Sequence, residues 1–396
     1  MTKADIGRRP ELPWFRRHLM EEILPLWRSA ITDTGYFACH FDAAWRRVDR
    51  GFGTLVSQSR LIYNFAQGYA LTGDPALGEA VDAGARFLVE NFWDAEYGGW
   101  IKACSPTGAV VDDGKDCYGH AFALFGLAHA YATTDNPRYR AALQETWAVL
   151  TARFREPQGG YRYFMSRDFR QTDPLRSQNP LMHLFEALLA AGDIAGLRAF
   201  HQEAVGLAEF VLQRLVQANA GVLPEVYSPT WRPLPAARAG RIDIGHAFEW
   251  AFLMSDAAAR GLSDTYLHAA ENFLAYGMRL GYDREQGGIF SPVAPDGSRS
   301  SRRKGWWEQC ETIRALLRFV DRHARADLWE PLQQTLAFVQ TEFLDHAHGG
   351  WYMSREPGVS PAAQPKGNEV KLDYHVVGMC MEAIRIEGAA GPSPDT

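Results

Sequence analysis

Cysteine is scarce in this 396-residue chain: Cys39, Cys104, Cys117, Cys310 and Cys380 are odd in number and scattered, with no CxxC pair. That excludes a disulfide framework and a structural zinc site and leaves buried free thiols as the expectation. Basic charge is not in excess either. Against 47 acidic residues stand 41 Lys and Arg, giving a net charge of -6 and no electrostatic footprint for nucleic acid or an anionic membrane. No apolar run is long enough to span a bilayer, and residues 1–14, broken by Pro10 and Pro13, lack an apolar core of signal-peptide type. A cytoplasmic protein is expected. Gly51-Phe52-Gly53 lacks the third glycine of a dinucleotide fingerprint, and no P-loop pattern occurs. Asp112, Asp113 and Asp116, or His183, His246 and His375, are ligand types without the local spacing of a metal helix, so no metal and no other cofactor is expected.

What is present is a repeat. Thr34-Gly35-Tyr36-Phe37 is echoed by Gly98-Gly99-Trp100-Ile101, Gly159-Gly160-Tyr161-Arg162, Ala220-Gly221-Val222-Leu223, Gly287-Gly288-Ile289-Phe290 and Gly349-Gly350-Trp351-Tyr352. The first residues are 64, 61, 61, 67 and 62 positions apart, so one unit recurs six times over the whole chain. After each marker a polar residue opens the next apolar segment: Arg60 is 26 residues on, His120 22, His183 24, His246 26, Glu308 and Glu311 21 and 24, and His375 26. If the units close into a ring, these residues converge at one end of it.

Two kinds of helix alternate within the unit. Ala76 to Phe92 carries Leu77, Val81, Leu88, Val89 and Phe92 on one face and charge elsewhere, after an N-cap and proline at Asp74-Pro75. Asn136-Pro137 repeats that start signal. The glycine pair is expected to end this helix. Gly119 to Ala132 and Gly245 to Ala259 are apolar nearly all round and must be buried. The spacing therefore predicts an all-α, (α/α)6 barrel of six outer–inner helical hairpins, the first outer helix near Leu12 to Arg28 and the last inner one at Tyr374 to Ile386. Period-2 fragments beside the markers, such as Gly160 to Phe164, predict short β-hairpins at one rim. Residues 1–387 form one domain on this reading, and Gly388 to Thr396 a disordered tail.

A single histidine at the start of a buried helix is ordinarily a packed or capping residue. Arg or His in five of six units is another matter, because a ring of cationic and titratable groups is costly to bury without a solvent-reaching pocket. Glu249 lies three residues after His246, on the same helix face, where a carboxylate can fix an imidazole tautomer. Trp306 and Trp307 offer faces for a sugar ring, although most large aromatics in such a chain fill core.

Six segments taken together, Arg60 to Ala66, Asp116 to Phe122, Asn179 to His183, Gly245 to Trp250, Trp306 to Glu311 and Lys371 to His375, resemble the N-acylglucosamine 2-epimerase superfamily in order and over almost the full chain. The resemblance implies an (α/α)6 barrel and a cofactor-independent sugar isomerase or epimerase that works through an enediolate. It also implies roles. His246 and His375 correspond to the acid/base histidines, Glu249 to the histidine-orienting glutamate, Arg60 to the substrate-binding arginine and His183 to a third histidine. Tyr118, His120, Asn179, Trp306, Trp307, Glu308 and Lys371, in the same motifs, are expected to bind substrate. Gly119-His120-Ala121-Phe122 is similar to the mannose isomerases of the superfamily more than to its cellobiose epimerases.

A histidine titrating near pH 6.5 suits removal and return of the C2 proton of an open-chain aldose, and a permanently charged arginine suits the developing oxyanion. In a six-fold ring Arg60 should oppose His246, and His183 should oppose His375. Aldose–ketose isomerisation of D-mannose and D-fructose is the favoured expectation, with 2-epimerisation as the alternative. The expected partner is a monosaccharide, with no nucleic acid and no membrane; a homodimer is compatible with the sequence. Glycoside hydrolysis needs two separated carboxylates, which the rim offers only in the Glu308 and Glu311 unit. A non-catalytic sugar-binding or partner-binding toroid is the remaining class.

Overall fold

A computed structural model describes residues 6–7, 9–216, 223–234, 241–294, 297–299 and 302–389. Twelve barrel helices alternate among them. The outer set comprises α1 (contiguous segments Leu12–Arg17, His18–Ile23 and Leu24–Arg28), α3 (Pro75–Asn91), α5 (Pro137–Val149), α7 (Ala199–Phe210), α9 (Thr265–Leu280) and α11 (Trp329–Glu342). The inner set comprises α2 (Leu55–Thr72), α4 (Cys117–Thr134), α6 (Gln178–Gly192), α8 (Ile244–Ala259), α10 (Trp306–Arg322) and α12 (Tyr374–Ala389). Consecutive inner helices pack together and α12 packs back on α2, which closes the ring. The inner helices are buried almost throughout, as an all-round apolar pattern requires. No described helix is long and apolar enough to cross a membrane.

The start signals act as expected. Asp74 Oδ1 accepts from Ala76 N at 3.0 Å and Asn136 Oδ1 from Arg138 N at 3.1 Å, each side chain satisfying an otherwise unpaired helix-start amide. The glycine pair does something else. α3 ends at Asn91, and Gly98 and Gly99 lie beyond it in a turn at φ +74° and +76°, where a side chain would be strained. The fourth marker falls largely on residues 220–222, outside the described residues. Gly388 and Ala389, assigned to the tail by composition, are the last residues of α12; residues 390–396 lie outside the described residues.

Short strands gather at the rim where the inner helices begin. They are β1 (Gly53–Thr54), β2 (Ala103–Cys104), β3 (Val110–Asp112), β4 (Lys115–Asp116), β5 (Phe164–Met165), β6 (Arg176–Ser177), β7 (Val226–Tyr227), β8 (Lys304–Gly305) and β9 (Ser354–Arg355). Among the described strands only β2 and β3 pair with each other as a local hairpin, beside isolated local bridges such as Met165 with Thr172 and Tyr227 with Pro233. The pairs β1–β2, β4–β5, β6–β7 and β8–β9 are antiparallel and join one unit to the next, in registers such as Thr54 with Ala103 and Asp116 with Phe164. The second residue of β1, β4, β6 and β8 is the N-cap of the following inner helix, so strand pairing also fixes where each helix starts.

A buried ion pair repeats at this joint. Lys115 reaches Asp94 at 2.9 Å, Arg176 reaches Glu156 at 2.7 Å, Lys304 reaches Asp283 at 2.7 Å and Lys366 reaches Asp345 at 2.5 Å. Lys304 Nζ also donates to Gly287 O at 2.7 Å, and Lys115 to Gly98 O, which ties the glycine turn to the strand entering the next helix. Burial pushes the Asp94 carboxyl up, but Arg167 and Lys115 outweigh it and hold it well below the usual carboxylate range. No sequence motif announced these pairs, because the partners are about twenty residues apart and only the folded turn brings them together.

Candidate active site

His246 sits in the first turn of α8, whose N-cap Asp243 accepts from Gly245 N at 3.2 Å and Ser291 Oγ at 2.6 Å. Its Nδ1 donates to Glu225 Oε1 at 2.8 Å, and Gln178 Nε2 steadies the same carboxylate through Oε2 at 2.9 Å. His375, in the first turn of α12, has Nδ1 2.7 Å from Glu311 Oε1 of α10. The Trp307 indole lies between the two imidazoles, with ring centroids 4.9 Å from His246 and 5.3 Å from His375. Gly245 makes that placement feasible: a Cβ there would stand 2.6 Å from Trp307 Cζ3. Among the described residues neither histidine Nε2 has a hydrogen-bond partner.

The two histidines are pushed in opposite directions. At His246 burial disfavours the imidazolium, but the Glu225 carboxylate outweighs it and the pKa rises to about 10. At His375 burial, reinforced by the Arg60 cation, holds the imidazole well below its ordinary range. Near neutral pH one imidazole is therefore cationic and the other neutral, a separation that acid–base chemistry can use.

Arg60 completes this rim. Its Nη2 donates to Tyr118 Oη at 2.7 Å and its Nη1 to Val370 O at 2.9 Å, while its buried Nε has no partner. The guanidinium lies over the Phe122 ring at 4.4 Å and the Tyr374 ring at 5.0 Å. Arg60 and Tyr118 line a cavity of about 310 Å³, together with Asp116, Tyr163, Glu369 and Val370. A larger groove of about 1020 Å³, between Phe338, Glu342 and the 355–361 loop, contains none of these groups; size alone does not locate the site.

Below the rim is a cluster of acids. His183 Nδ1 is 3.5 Å from Glu186 Oε2 and 3.8 Å from Glu249 Oε1, and Tyr374 Oη donates to Glu186. Arg314 reaches Glu311 at 3.4 Å and Glu186 at 3.7 Å. Burial, with Glu311 and Glu186 nearby, raises Glu249 well above the usual carboxylate range, and burial raises Glu311 to about 7. His183, Glu186 and Glu249, and likewise Glu249, Glu311 and His375, bring ligand-type atoms within 4.8 Å of one another. Arg314 already supplies the positive charge such carboxylates would offer a metal, so the set fits a proton-sharing cluster better than a cation site.

Several expected residues have other tasks. Glu249 does not touch His246; Glu225, from the loop before α8, holds that imidazole, and Glu249 faces His183 instead. His120 accepts from Trp100 N at 3.0 Å and bonds Asp116 O at 2.8 Å, fully buried in the rim scaffold. Gln58 and Gln309 do the same for Phe37 N and Ile289 N, and all three stand four residues after their N-caps Thr54, Asp116 and Gly305. The residues that point to the axis, Arg60, His183, Glu249 and Glu311, stand six after theirs. Two positions on a helix are a rotation of about 200°, which is why His120 turns away from the ring it was grouped with. Lys371 Nζ is committed to Lys366 O and Asp373 Oδ1, both at 2.9 Å, as an unexposed strut before α12.

Trp306 is core, 4 % exposed, whereas Trp307 is the indole at the rim. Glu308 pairs with Arg303 at 3.0 Å, and burial together with Asp243 pushes its carboxyl up to about 7. Asn179 is half-buried in the first turn of α6 with its Oδ1 unpartnered. Sequence reading missed Glu225, Gln178, Glu186 and Arg314. Signals existed for Glu186, three residues after His183, and for Arg314, three residues after Glu311, each on the same helix face.

Comparison with known proteins agrees with this architecture. D-mannose isomerase of Marinomonas mediterranea is 26% identical over 342 residues, 84% of this chain and 86% of its own length. Cellobiose 2-epimerase of Bacteroides fragilis is 22% identical over 394 residues, 93% of this chain and 97% of its own. A crystal structure of D-mannose isomerase superposes with a TM-score of 0.88 and 25% identity, over 94% of this chain and 97% of that one. The chain is a sugar isomerase or epimerase. A model of the N-acylglucosamine 2-epimerase (GlcNAc 2-epimerase) family matches residues 35–379, and the chain belongs to that family.

Proposed function

We propose that this protein interconverts D-mannose and D-fructose by histidine acid–base transfer through a cis-enediol(ate), without a cofactor. The observation that carries the reading is the pair His246 and His375, oppositely charged in tendency and flanking one indole. His375 Nε2 takes the C2 proton of the open-chain aldose while the imidazolium of His246 gives a proton to O1. Arg60 holds the negative charge that develops on the sugar oxygens. His375 then returns its proton to C1, and the O2 proton passes to His246 as the C2 carbonyl forms. Both histidines end as they began.

The alternative, 2-epimerisation, shares the intermediate and differs only in reprotonation of C2 from the opposite face by a second histidine. The named relatives include both reaction types, so product analysis decides. Proton NMR of D-mannose in deuterated buffer should show fructose first; glucose without fructose would reassign the protein as a 2-epimerase. His375→Asn should abolish both product formation and C2 deuteration in a folded protein. Retained exchange in that variant would remove His375 from the mechanism.

A further inference from the structure

Every inner helix begins at the strand-bearing rim, so the later turns of these helices face the other end of the barrel. That end holds a second cavity of about 570 Å³, walled by Tyr63, His129, Ala190 and Asp256 and by two members of the buried cluster, Glu186 and Arg314. Glu186 lies 3.5 Å from His183 Nδ1, and Arg314 lies 3.4 Å from Glu311, which holds His375 Nδ1 at 2.7 Å. Between these arms stands Glu249, unexposed, with neither carboxyl oxygen hydrogen-bonded. Carboxyl groups thus succeed one another from the rim histidines to the far cavity, Glu186 to Glu249 and Glu249 to Glu311 each within 4.8 Å.

The proposed reaction has a use for that line. A sugar on the rim shields the reacting face of His375 from solvent, yet proton transfer to Nε2 creates an imidazolium in a buried place. Moving the Nδ1 proton to Glu311 neutralises it: one N–H bond breaks, one O–H bond forms, and no electrons change hands. A cavity of this size, with His129, Asp256, Glu186 and Arg314 on its wall, has the room and the polar partners for water able to supply or receive the proton at the far end.

We propose that the far cavity is a proton port: water in it exchanges protons with Glu186, and Glu186, Glu249 and Glu311 pass them between His183 and His375 behind a bound sugar. The inference rests on the isomerase reading only for the kind of molecule that closes the front. If the cluster merely held the histidines in position, their protons would reach solvent by the front alone.

The test is exchange of the His375 Nδ1 proton with water in protein labelled with 15N-histidine, with and without saturating D-mannitol, which has no carbonyl and cannot react. In the unmodified protein mannitol should leave the exchange rate within about twofold. Ala190→Phe, which narrows the far cavity, should slow exchange about tenfold when mannitol is bound and little when it is absent. Glu186→Gln, which keeps the shape but cannot carry the proton, should do the same. Unchanged His375 15N shifts show that neither variant has moved the ring. Exchange arrested by mannitol alone, or both variants exchanging like the unmodified protein, overturns the proposal. Mannitol binding is read separately by tryptophan fluorescence, so failure of the sugar-site reading is distinguishable from failure of the proton route.

Discussion

Replacing Glu225 by glutamine tests the assignment of His246 as the acid. The pair is 2.8 Å apart with side chains 11% and 14% exposed, so solvent screens it little. A rise from 6.5 to about 10 corresponds to roughly 5 kcal/mol of preference for the imidazolium. The charge-assisted hydrogen bond to Glu225 accounts for about 1.5–3 kcal/mol of that, or about one to two pH units at ~1.4 kcal/mol for each. Glutamine keeps the shape and still accepts from Nδ1. The alkaline limb of kcat for D-mannose, set by deprotonation of His246, should therefore move from about 10 to about 8–9. The acid limb, set by the His375–Glu311 pair, should stay in place. Stability gives an independent reading. Because the folded-state pKa is raised, the stabilisation is complete below 6.5 and is lost as pH rises through about 10. The Tm difference between the two proteins should shrink over that interval. An unmoved alkaline limb, or movement of the acid limb alone, would refute the assignment.

His120→Gln should keep both fold and turnover, since glutamine already serves the equivalent amides at Gln58 and Gln309; a folded but inactive variant would return His120 to the substrate site. Arg60→Lys cannot donate to Tyr118 and Val370 O with one planar fork, and kcat/KM should fall about 10²–10³-fold, with activity near that of the unmodified protein removing Arg60 from transition-state stabilisation. Lys115→Met leaves Asp94 buried with Arg167 as its remaining cation and should cost about 3–5 kcal/mol in urea unfolding; a cost below about 1 kcal/mol would show that Arg167 alone satisfies the carboxylate.

Much of this molecule is legible in one dimension because its information is periodic. The outer helices show one apolar face and the inner helices are apolar all round, so the alternation follows from burial. Asp74-Pro75 and Asn136-Pro137 mark helix starts because a cap acts within three residues. Recurrence itself implied a ring, and a ring implied a shared rim where Arg60, His246 and His375 gather.

Spacing counted from the glycine markers could not fix the phase of each inner helix, since the loops between differ in length. Helix phase is set by the N-cap at the end of β1, β4, β6 and β8, and those strands find their register by pairing with the neighbouring unit. That tertiary register is what turns His120 toward Trp100. The partners that tune the histidines come from elsewhere: Glu225 from the loop ahead of α8, Glu311 from the helix beside α12. The sequence by itself determined the repeat, the helix types and the chemical inventory, because those depend on neighbours within a turn or two of chain. Which histidine is held cationic and which neutral was decided only when the ring closed, because a side chain's pKa follows the charges and burial that distant segments bring to within a few ångströms of it.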